Sequence, residues 1–216
     1  MFILLALLSP LRLFGETTFF RDCSPEANAE QLLERMTDEE VLGQVLMIGF
    51  SGTSPSEEVL QWIEEKHIGG IKIFGWNVGT LPELARSIGR MQEKALSSRL
   101  KIPLLVATDQ EGGWVRHVKE DTSAGVGNMA LGATGLPYDA YYTGYYIGME
   151  LRALGINMNF APTADLYSNP EAHVIGPRAF SDDPEKTAEL ALAYYRGTQA
   201  AGIIATAKHF PCHGDA

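Results

Sequence analysis

The positions of apolar and polar residues divide the chain into two alternating kinds of segment. Stretches with an apolar residue at every third or fourth position predict amphipathic helices, and short runs of Val, Ile and Leu predict buried parallel strands. Five helices are predicted, over residues 27–44, 56–67, 81–96, 138–155 and 183–202. Five strands are predicted, over residues 45–50, 69–74, 103–109, 156–165 and 203–210. Each strand is therefore joined to the next by a helix.

Local signals mark where several of these helices begin and end. Thr37 and Glu40 have the spacing of a capping box, and Pro82 stands where a helix tolerates proline. Asp183 is placed to cap the last helix, which Gly202 ends.

Helices between consecutive strands imply right-handed parallel crossovers, so the fold is either an open doubly wound sheet or a (β/α)8 barrel. Polar residues follow the second to fifth strands, and these are Trp76 and Asn77, Asp109 to Glu111, Asp165 with Asn169, and Lys208 with His209. No phosphate-binding glycine pattern follows the first strand. The sequence therefore predicts an α/β fold of the TIM-barrel type, an incomplete barrel with about the first five βα units, in one domain over residues 27–216.

Composition limits the partners of this domain. The chain has 216 residues and a formal net charge of -10 at pH 7. Nucleic-acid binding is not expected, because phosphate neutralisation needs a basic face and no run of Lys or Arg supplies one. The two cysteines, Cys23 and Cys212, are too few and too far apart for a disulfide framework or a zinc ribbon.

The N-terminal residues 1–22 begin with an apolar run, Phe2 to Leu8, that is too short to span a bilayer. We interpret this segment as an export signal, which predicts a periplasmic or extracellular protein without further membrane contact. No basic residue precedes the apolar run, and Arg12 follows it, which departs from the usual signal. If the segment is not a signal, a cytoplasmic location is expected instead.

Two glycine-containing stretches carry candidate chemistry. "ATDQEGGWVRH" places Asp109 and Glu111 at a strand end, where carboxylate oxygens could accept hydrogen bonds from sugar hydroxyls. "VIGPRAF" presents Arg178 from a loop. Taken alone, the first stretch is equally compatible with a solvated turn, and an arginine such as Arg178 is more often an ordinary surface charge.

The C-terminal stretch "KHFPCHGDA" suggests a metal site at His209, Cys212, His213 and Asp215. Two histidines four residues apart converge on a metal when they lie on a helix, but Pro211 and Gly214 prevent a helix here. We therefore expect no metal and no cofactor, and keep a metal-dependent hydrolase as an alternative.

Taken together, five ordered stretches resemble the N-terminal barrel of glycoside hydrolase family 3, and most closely its β-N-acetylglucosaminidases. The stretches are "MTDEEVLGQVLMIGF", "GGIKIFGWN", "ATDQEGGWVRH", "MNFAPTADLYSNP" and "IGPRAF" continuing to "KHFPCHGD". The resemblance implies a (β/α)8 barrel and a carbohydrate substrate with N-acetylglucosamine units. It also implies that Asp109, Arg178, Lys208 and His209 bind the sugar.

The sequence departs from the family pattern at three other positions within these stretches. A family arginine that binds the sugar falls on His117, with Arg116 one residue earlier, so either residue could make that contact. Trp114 stands where another arginine is usual, and Cys212 replaces a usual glycine.

The resemblance implies hydrolysis of O-glycosyl bonds by a retaining β-N-acetylhexosaminidase, acting on cell-wall fragments that contain N-acetylglucosamine. It also implies that the proton donor and the nucleophile lie beyond Ala216, so that the 216-residue chain alone is inactive. His213 and Asp215 are the nearest catalytic candidates within the chain. A carbohydrate-binding remnant without catalysis is the alternative, and the sequence leaves open the oligomeric state and whether a longer reading frame or a decayed gene is present.

Overall fold

The computed structural model describes Phe19 and residues 24–119, 121–171 and 173–213. The rest of the predicted export segment lies outside the described residues, as do Cys23 and Asp215. The domain limits of 27–216 stay a prediction.

Within the described residues, five short parallel strands form one sheet and lie in it in the order in which they follow one another along the chain. The strands are β1 (Met47–Gly49), β2 (Gly70–Ile73), β3 (Leu105–Thr108), β6 (Met158–Asn159) and β7 (Ile204–Ala205). Each lies within a predicted strand but is shorter than it. In register, Lys72 of β2 lies beside Ala107 of β3, which lies beside Met158 of β6.

Helices connect the strands and pack on the sheet. They are α1 (Pro25–Leu33), α2 (Asp38–Gln44), α3 (Glu57–Glu65), α4 (Leu81–Ser97), α5 (Asn128–Thr134), α6 (Pro137–Ala153) and α7 (Pro184–Ala200). Side chains from both sides of this contact form the core, among them Ile71, Ile73, Leu84, Met91 and Tyr194, which are all fully buried.

The prediction of one continuous helix over 27–44 is wrong, because α1 ends at Leu33 and α2 begins at Asp38. The predicted capping box explains the break. The Thr37 hydroxyl accepts from the Glu40 amide at 3.3 Å, while the Glu40 carboxylate accepts from the Thr37 amide at 2.8 Å. A residue that caps a helix has extended backbone geometry and cannot lie inside one.

Three elements between β3 and α6 were not predicted from the sequence. A small antiparallel hairpin pairs β4 (Gln110–Gly112) with β5 (Val115–Arg116), and α5 follows. These segments have neither a clear period of two nor a long helical period, and their geometry depends on glycines instead. Gly112, Gly113, Gly125 and Gly127 all have positive φ, which disfavours any other residue.

The predicted α/β fold of the TIM-barrel type is confirmed. A parallel sheet in chain order, with a helical connection between consecutive strands, is the pattern of successive βα units in such a barrel. Within the described ranges, no helix combines the length and apolarity that crossing a membrane requires.

Candidate functional site

The charged side chains of the predicted site meet at the carboxyl ends of the parallel strands. Asp109 follows β3 directly, and Lys208 follows β7 by three residues. The segment after β6 pairs with the segment after β7. Thr163 and Lys208 form an isolated parallel β-bridge, and the Lys208 amide donates to the Pro162 carbonyl at 3.0 Å. This pairing fixes the backbone of Lys208 and aims its side chain at the end of β3.

Asp109 lies between two lysines. Its Oδ1 is 2.6 Å from Lys208 Nζ, and its Oδ2 is 2.5 Å from Lys72 Nζ. The imidazole Nε2 of His117 lies 3.5 Å from the same Oδ2. The Asp109 side chain is 20% exposed, so a ligand can still reach it.

Glu111 holds a second pair of cations. Its carboxylate receives Arg178 Nε and Nη2 at 3.0 and 2.8 Å, and Lys208 Nζ lies 2.5 Å from Oε1. The Glu111 side chain is 2% exposed, against 15% for Arg178. The expectation that Glu111 itself binds sugar hydroxyls is therefore replaced, because this carboxylate is buried and positions the two cations.

Asp165 organises the backbone around His209. Its Oδ2 lies 2.6 Å from His209 Nδ1 and accepts from the His209 amide at 3.1 Å, while its Oδ1 accepts from the His213 amide at 2.6 Å. The other ring nitrogen, Nε2, lies 3.4 Å from Arg178 Nη2. This arrangement fits the Nδ1–H tautomer of His209, with Asp165 as its acceptor.

The three carboxylates are held in their ionised form. Burial raises the pKa of Asp109, but hydrogen bonds from His117, Lys208 and Lys72 outweigh it, so the net pKa lies well below its ordinary value. The same balance lowers the pKa of Glu111 through Arg178 and Lys208, and that of Asp165 through His209 and His213. Burial also lowers the pKa of Lys72, an effect that Asp109 partly offsets.

The resulting cluster is a chain of contacts in which cationic side chains alternate with carboxylates. In order along the chain of contacts, its members are Lys72, Asp109, Lys208, Glu111, Arg178, His209 and Asp165. Three permanent cations balance three carboxylates. A charge-balanced cluster with donors and acceptors in fixed directions suits a neutral ligand with several hydroxyl groups better than an ion.

The hairpin that carries Asp109 and Glu111 into this cluster is held by buried hydrogen bonds. Gln110 exchanges two with the Val118 backbone, at 2.6 and 3.1 Å. Its backbone exchanges two more with the Asn159 side chain, both at 3.0 Å. The Tyr194 hydroxyl, whose pKa is raised by burial, lies within 3.3 Å of the carbonyls of Gln110 and Glu111. Carboxylates on a hairpin fixed in this way are pre-positioned for binding.

The structure brings five predicted sugar-binding residues together: Asp109, His117, Arg178, Lys208 and His209. It also distinguishes His117 from Arg116. His117 faces Asp109, whereas the Arg116 guanidinium lies 3.5 Å from the Thr122 carbonyl.

The residues proposed as metal ligands are arranged differently. The rings of His209 and His213 meet edge to face, with centroids 5.5 Å apart, and His209 Nδ1 is engaged by Asp165. Cys212 is exposed, and Asp215 lies outside the described residues. In the part of the chain that the structure describes, no three His, Cys, Asp or Glu side chains are grouped to hold a metal.

Sequence reasoning missed Lys72, which lies inside an apolar strand. Ile71 and Ile73 point into the helix-packed core, so the period of two places Lys72 and Phe74 on the opposite face. Lys72 Nζ lies 4.6 Å from the centroid of the Phe74 ring and 2.5 Å from Asp109. The signal in the sequence was a lysine in the middle of a buried strand, since such a charge needs a partner.

Comparison with known families gives one match that covers most of the chain. The model of the glycosyl hydrolase family 3 N-terminal domain matches residues 36–216. Beta-hexosaminidase A of Pseudoalteromonas piscicida is 38% identical over 212 residues, covering 89% of this chain and 35% of the relative. Beta-hexosaminidase of Xylella fastidiosa strain M23 is 35% identical over 176 residues, covering 79% of this chain and 50% of the relative. The chain thus spans between a third and a half of the length of these relatives.

Solved structures give the same result. A glycoside hydrolase family 3 beta-N-acetylglucosaminidase from Paenibacillus sp. str. FPU-7 superposes with a TM-score of 0.80 at 43% identity, over 83% of this chain and 34% of that one. NagZ from Neisseria gonorrhoeae in complex with N-trifluoroacetyl-D-glucosamine superposes with a TM-score of 0.72 at 30% identity, over 79% of this chain and 51% of that one.

Proposed function

The chain belongs to glycosyl hydrolase family 3, and we propose that it forms the sugar-binding part of a retaining β-N-acetylhexosaminidase that acts on N-acetylglucosamine units. The observation that carries the proposal is the charge-balanced cluster around Asp109 and Lys208 at the carboxyl ends of the strands. In TIM barrels, this face carries the active site.

Each member of the cluster has a role that its geometry supports. Asp109 accepts hydrogen bonds from sugar hydroxyls, and its orientation is fixed by lysines on both oxygens. The nitrogens of Lys208, Arg178 and His209 lie close together, since the first two share Glu111 and Arg178 Nη2 is 3.4 Å from His209 Nε2. His117 takes the position of a further donor beside Asp109.

Retaining hydrolysis needs a nucleophilic carboxylate and a proton donor on either side of the glycosidic bond. Asp109, Glu111 and Asp165 are unsuited to donate a proton at neutral pH, because the pKa of each is lowered by the cations or hydrogen-bond donors beside it. Both oxygens of each carboxylate are also bonded to neighbouring cations, imidazole or amides, which makes them poor nucleophiles, so we assign these three to binding and positioning. We propose that the catalytic pair lies beyond Ala216.

The proposal extends to location and natural substrate. The apolar N-terminal segment supports export to the periplasm or the exterior. An exported enzyme of this class would meet cell-wall fragments that contain N-acetylglucosamine, and we propose these as its substrate.

Hydrolysis of a chromogenic N-acetyl-β-glucosaminide by the full protein tests the proposal. We expect turnover, and Lys208→Met should lower kcat/KM roughly ten- to hundredfold, because a charge-assisted hydrogen bond to the sugar is lost. Folding should be preserved, since Asp109 keeps Lys72 and Glu111 keeps Arg178. Lys94→Met is the matched control, because Lys94 of α4 pairs with Glu64 of α3 on the protein surface.

Three outcomes separate the possibilities. Sugar binding without turnover by the full protein would favour the carbohydrate-binding alternative. Unchanged kinetics in folded Lys208→Met would remove Lys208 from the site. Turnover by residues 1–216 alone would contradict the placement of the catalytic pair.

A further inference from the structure

A cleft of about 360 Å³ lies beside the charged cluster, between the β4–β5 hairpin and α5. We propose that this cleft binds the sugar ring next to the N-acetylglucosamine unit in an oligosaccharide substrate, with the Trp114 indole as its stacking platform. This inference rests on the proposed function, because the first sugar must occupy the cluster around Asp109.

Glycine backbone brings the two sides of the cleft together. Gly113 of the hairpin and Gly127 before α5 both line it, with φ of 59° and 82°. A Cβ added at Gly113 would lie 2.9 Å from Gly127 Cα, closer than such atoms approach. The cleft therefore depends on main-chain contact that larger residues would prevent.

Three exposed apolar side chains line this cleft. Trp114 is 75% exposed, Val126 is 66% exposed and Met129 is 38% exposed, and all three line it. Large apolar groups grouped at a concave surface are typical of a binding site and not of scattered surface residues.

The cleft is continuous with the cluster that the proposed function assigns to the first sugar. Glu111 and Arg178 belong to both, since their ion pair forms one wall of the cleft. The ion pair also provides polar groups next to the apolar wall.

This combination fits the chemistry of a sugar ring. A pyranose has one face of C–H groups, which packs on an aromatic ring, and an edge of hydroxyls, which needs donors and acceptors. Trp114 offers the aromatic face, and the Arg178 guanidinium, which Glu111 holds in place, offers donors to the hydroxyl edge.

The test compares one sugar with two. N-acetylglucosamine and thio-linked N,N′-diacetylchitobiose, whose sulfur bridge resists hydrolysis, are titrated calorimetrically into the full protein. We expect the disaccharide to bind more tightly than the monosaccharide. Trp114→Ala should weaken disaccharide binding roughly fivefold to tenfold and leave monosaccharide binding unchanged, because one aromatic contact is lost. Trp62→Ala is the control, since Trp62 is also partly exposed but lies on α3 at a different groove.

A fluorescence measurement gives a second readout that does not depend on the Trp114→Ala variant. The chain has three tryptophans, so the double variant Trp62→Phe/Trp76→Phe leaves Trp114 as the reporter within residues 1–216. The emission of this double variant is followed in the full protein and compared with that of the same variant carrying Trp114→Phe as well. The disaccharide, but not the monosaccharide, should shift the emission only while Trp114 is present.

The outcomes distinguish failure of the inference from failure of the proposed function. An equal loss of affinity for the monosaccharide and the disaccharide in Trp114→Ala would overturn the cleft assignment, because Trp114 would then contact the first sugar. Unchanged disaccharide affinity in that variant would overturn it as well. Absence of monosaccharide binding in the wild type would instead contradict the proposed function on which the inference rests.

Discussion

Lys72 illustrates how a single residue can be both a structural cost and a site component. Its side chain is 12% exposed inside a parallel sheet, where an unpaired charge would be strongly unfavourable. The Asp109 carboxylate at 2.5 Å and the Phe74 ring at 4.6 Å compensate for the lost water. A charge retained at such a position is more readily explained by ligand binding than by stability, since apolar replacements of buried ion pairs are often neutral or stabilising.

Replacing Lys72 by Met tests this explanation through the ionisation of Asp109. Lys72 is one of three groups whose hydrogen bonds lower the pKa of Asp109, so its loss should raise that pKa toward the ordinary value of 3.8. Sugar affinity requires the ionised carboxylate, and its decline on acidification should therefore begin at a higher pH in Lys72→Met than in the wild type. Calorimetric titration with N-acetylglucosamine from pH 7 down to pH 2 measures the shift, because the pKa of Asp109 in the wild type lies well below 3.8.

The surface variant Lys94→Met is the control for the loss of one lysine. The pH dependence of its sugar affinity should match that of the wild type. An identical profile in Lys72→Met would mean that Lys72 contributes nothing to the state of Asp109.

At the scale of the elements, α6 and α7 meet through glycines, and this contact supports the site. A Cβ at Gly144 would lie 2.3 Å from the Tyr194 carbonyl oxygen, and one at Gly197 would lie 1.9 Å from the Tyr141 carbonyl oxygen. The two helices are therefore closer than other residues would permit. Tyr194 lies on the same helix as Gly197, and its hydroxyl reaches the hairpin carbonyls of Gln110 and Glu111.

Gly197→Ala should destabilise the protein although alanine favours helices. The clash with the Tyr141 carbonyl forces the helices apart, and such overpacking costs roughly 1 to 3 kcal/mol or more. Gly89→Ala is a matched control in α4, where nothing lies within 4 Å of the added Cβ. It should stabilise by about 0.5 to 1 kcal/mol. Urea unfolding of both variants gives the free energies of unfolding, and equal effects would contradict the role of the helix contact.

The elements also show what sequence patterns can predict. The alternation of apolar runs located all five parallel strands, and the Thr37 and Asp183 caps were read correctly. The lengths of the strands were overestimated, because apolar residues continue past the point where the backbone hydrogen bonds between strands stop. The β4–β5 hairpin was missed since its shape follows from positive φ at glycines and from the Gln110 hydrogen bonds, neither of which has a periodic signature.

At the scale of the whole molecule, the site is assembled from residues distant in sequence. Lys208 meets Asp109 across 99 positions, and Arg178 meets Glu111 across 67. The sequence predicts that strand ends converge, and so it predicts which residues share a site. It does not predict which cation faces which oxygen, because that depends on register and on the paired segments that follow β6 and β7. The burial of Glu111 and the participation of Lys72 therefore emerge only in three dimensions.

The charge distribution predicts how the whole fold responds to acid. The protein carries a formal net charge of -10, yet the site is balanced, so acidification relieves general repulsion while it removes the site's ion pairs. The pKa of Glu111 is lowered below 4.5 in the folded state. Its contribution to stability is therefore fully present above about pH 4.5 and is lost as the pH falls through the folded value.

Glu111→Gln isolates this contribution, because the amide keeps the shape and removes the charge. At pH 7, the variant should be less stable than the wild type by roughly 3 to 5 kcal/mol, since Arg178 loses its buried partner. The difference should shrink as the pH falls below 4.5, first because the unfolded wild type binds a proton at Glu111 and, at lower pH, because the folded wild type does so as well. Urea unfolding at pH 7, 5, 4 and 3 measures the difference, with Glu189→Gln on the exposed face of α7 as the control, for which no difference is expected at any pH. A pH-independent gap for Glu111→Gln would show that the carboxylate stabilises through its packing and not through its charge.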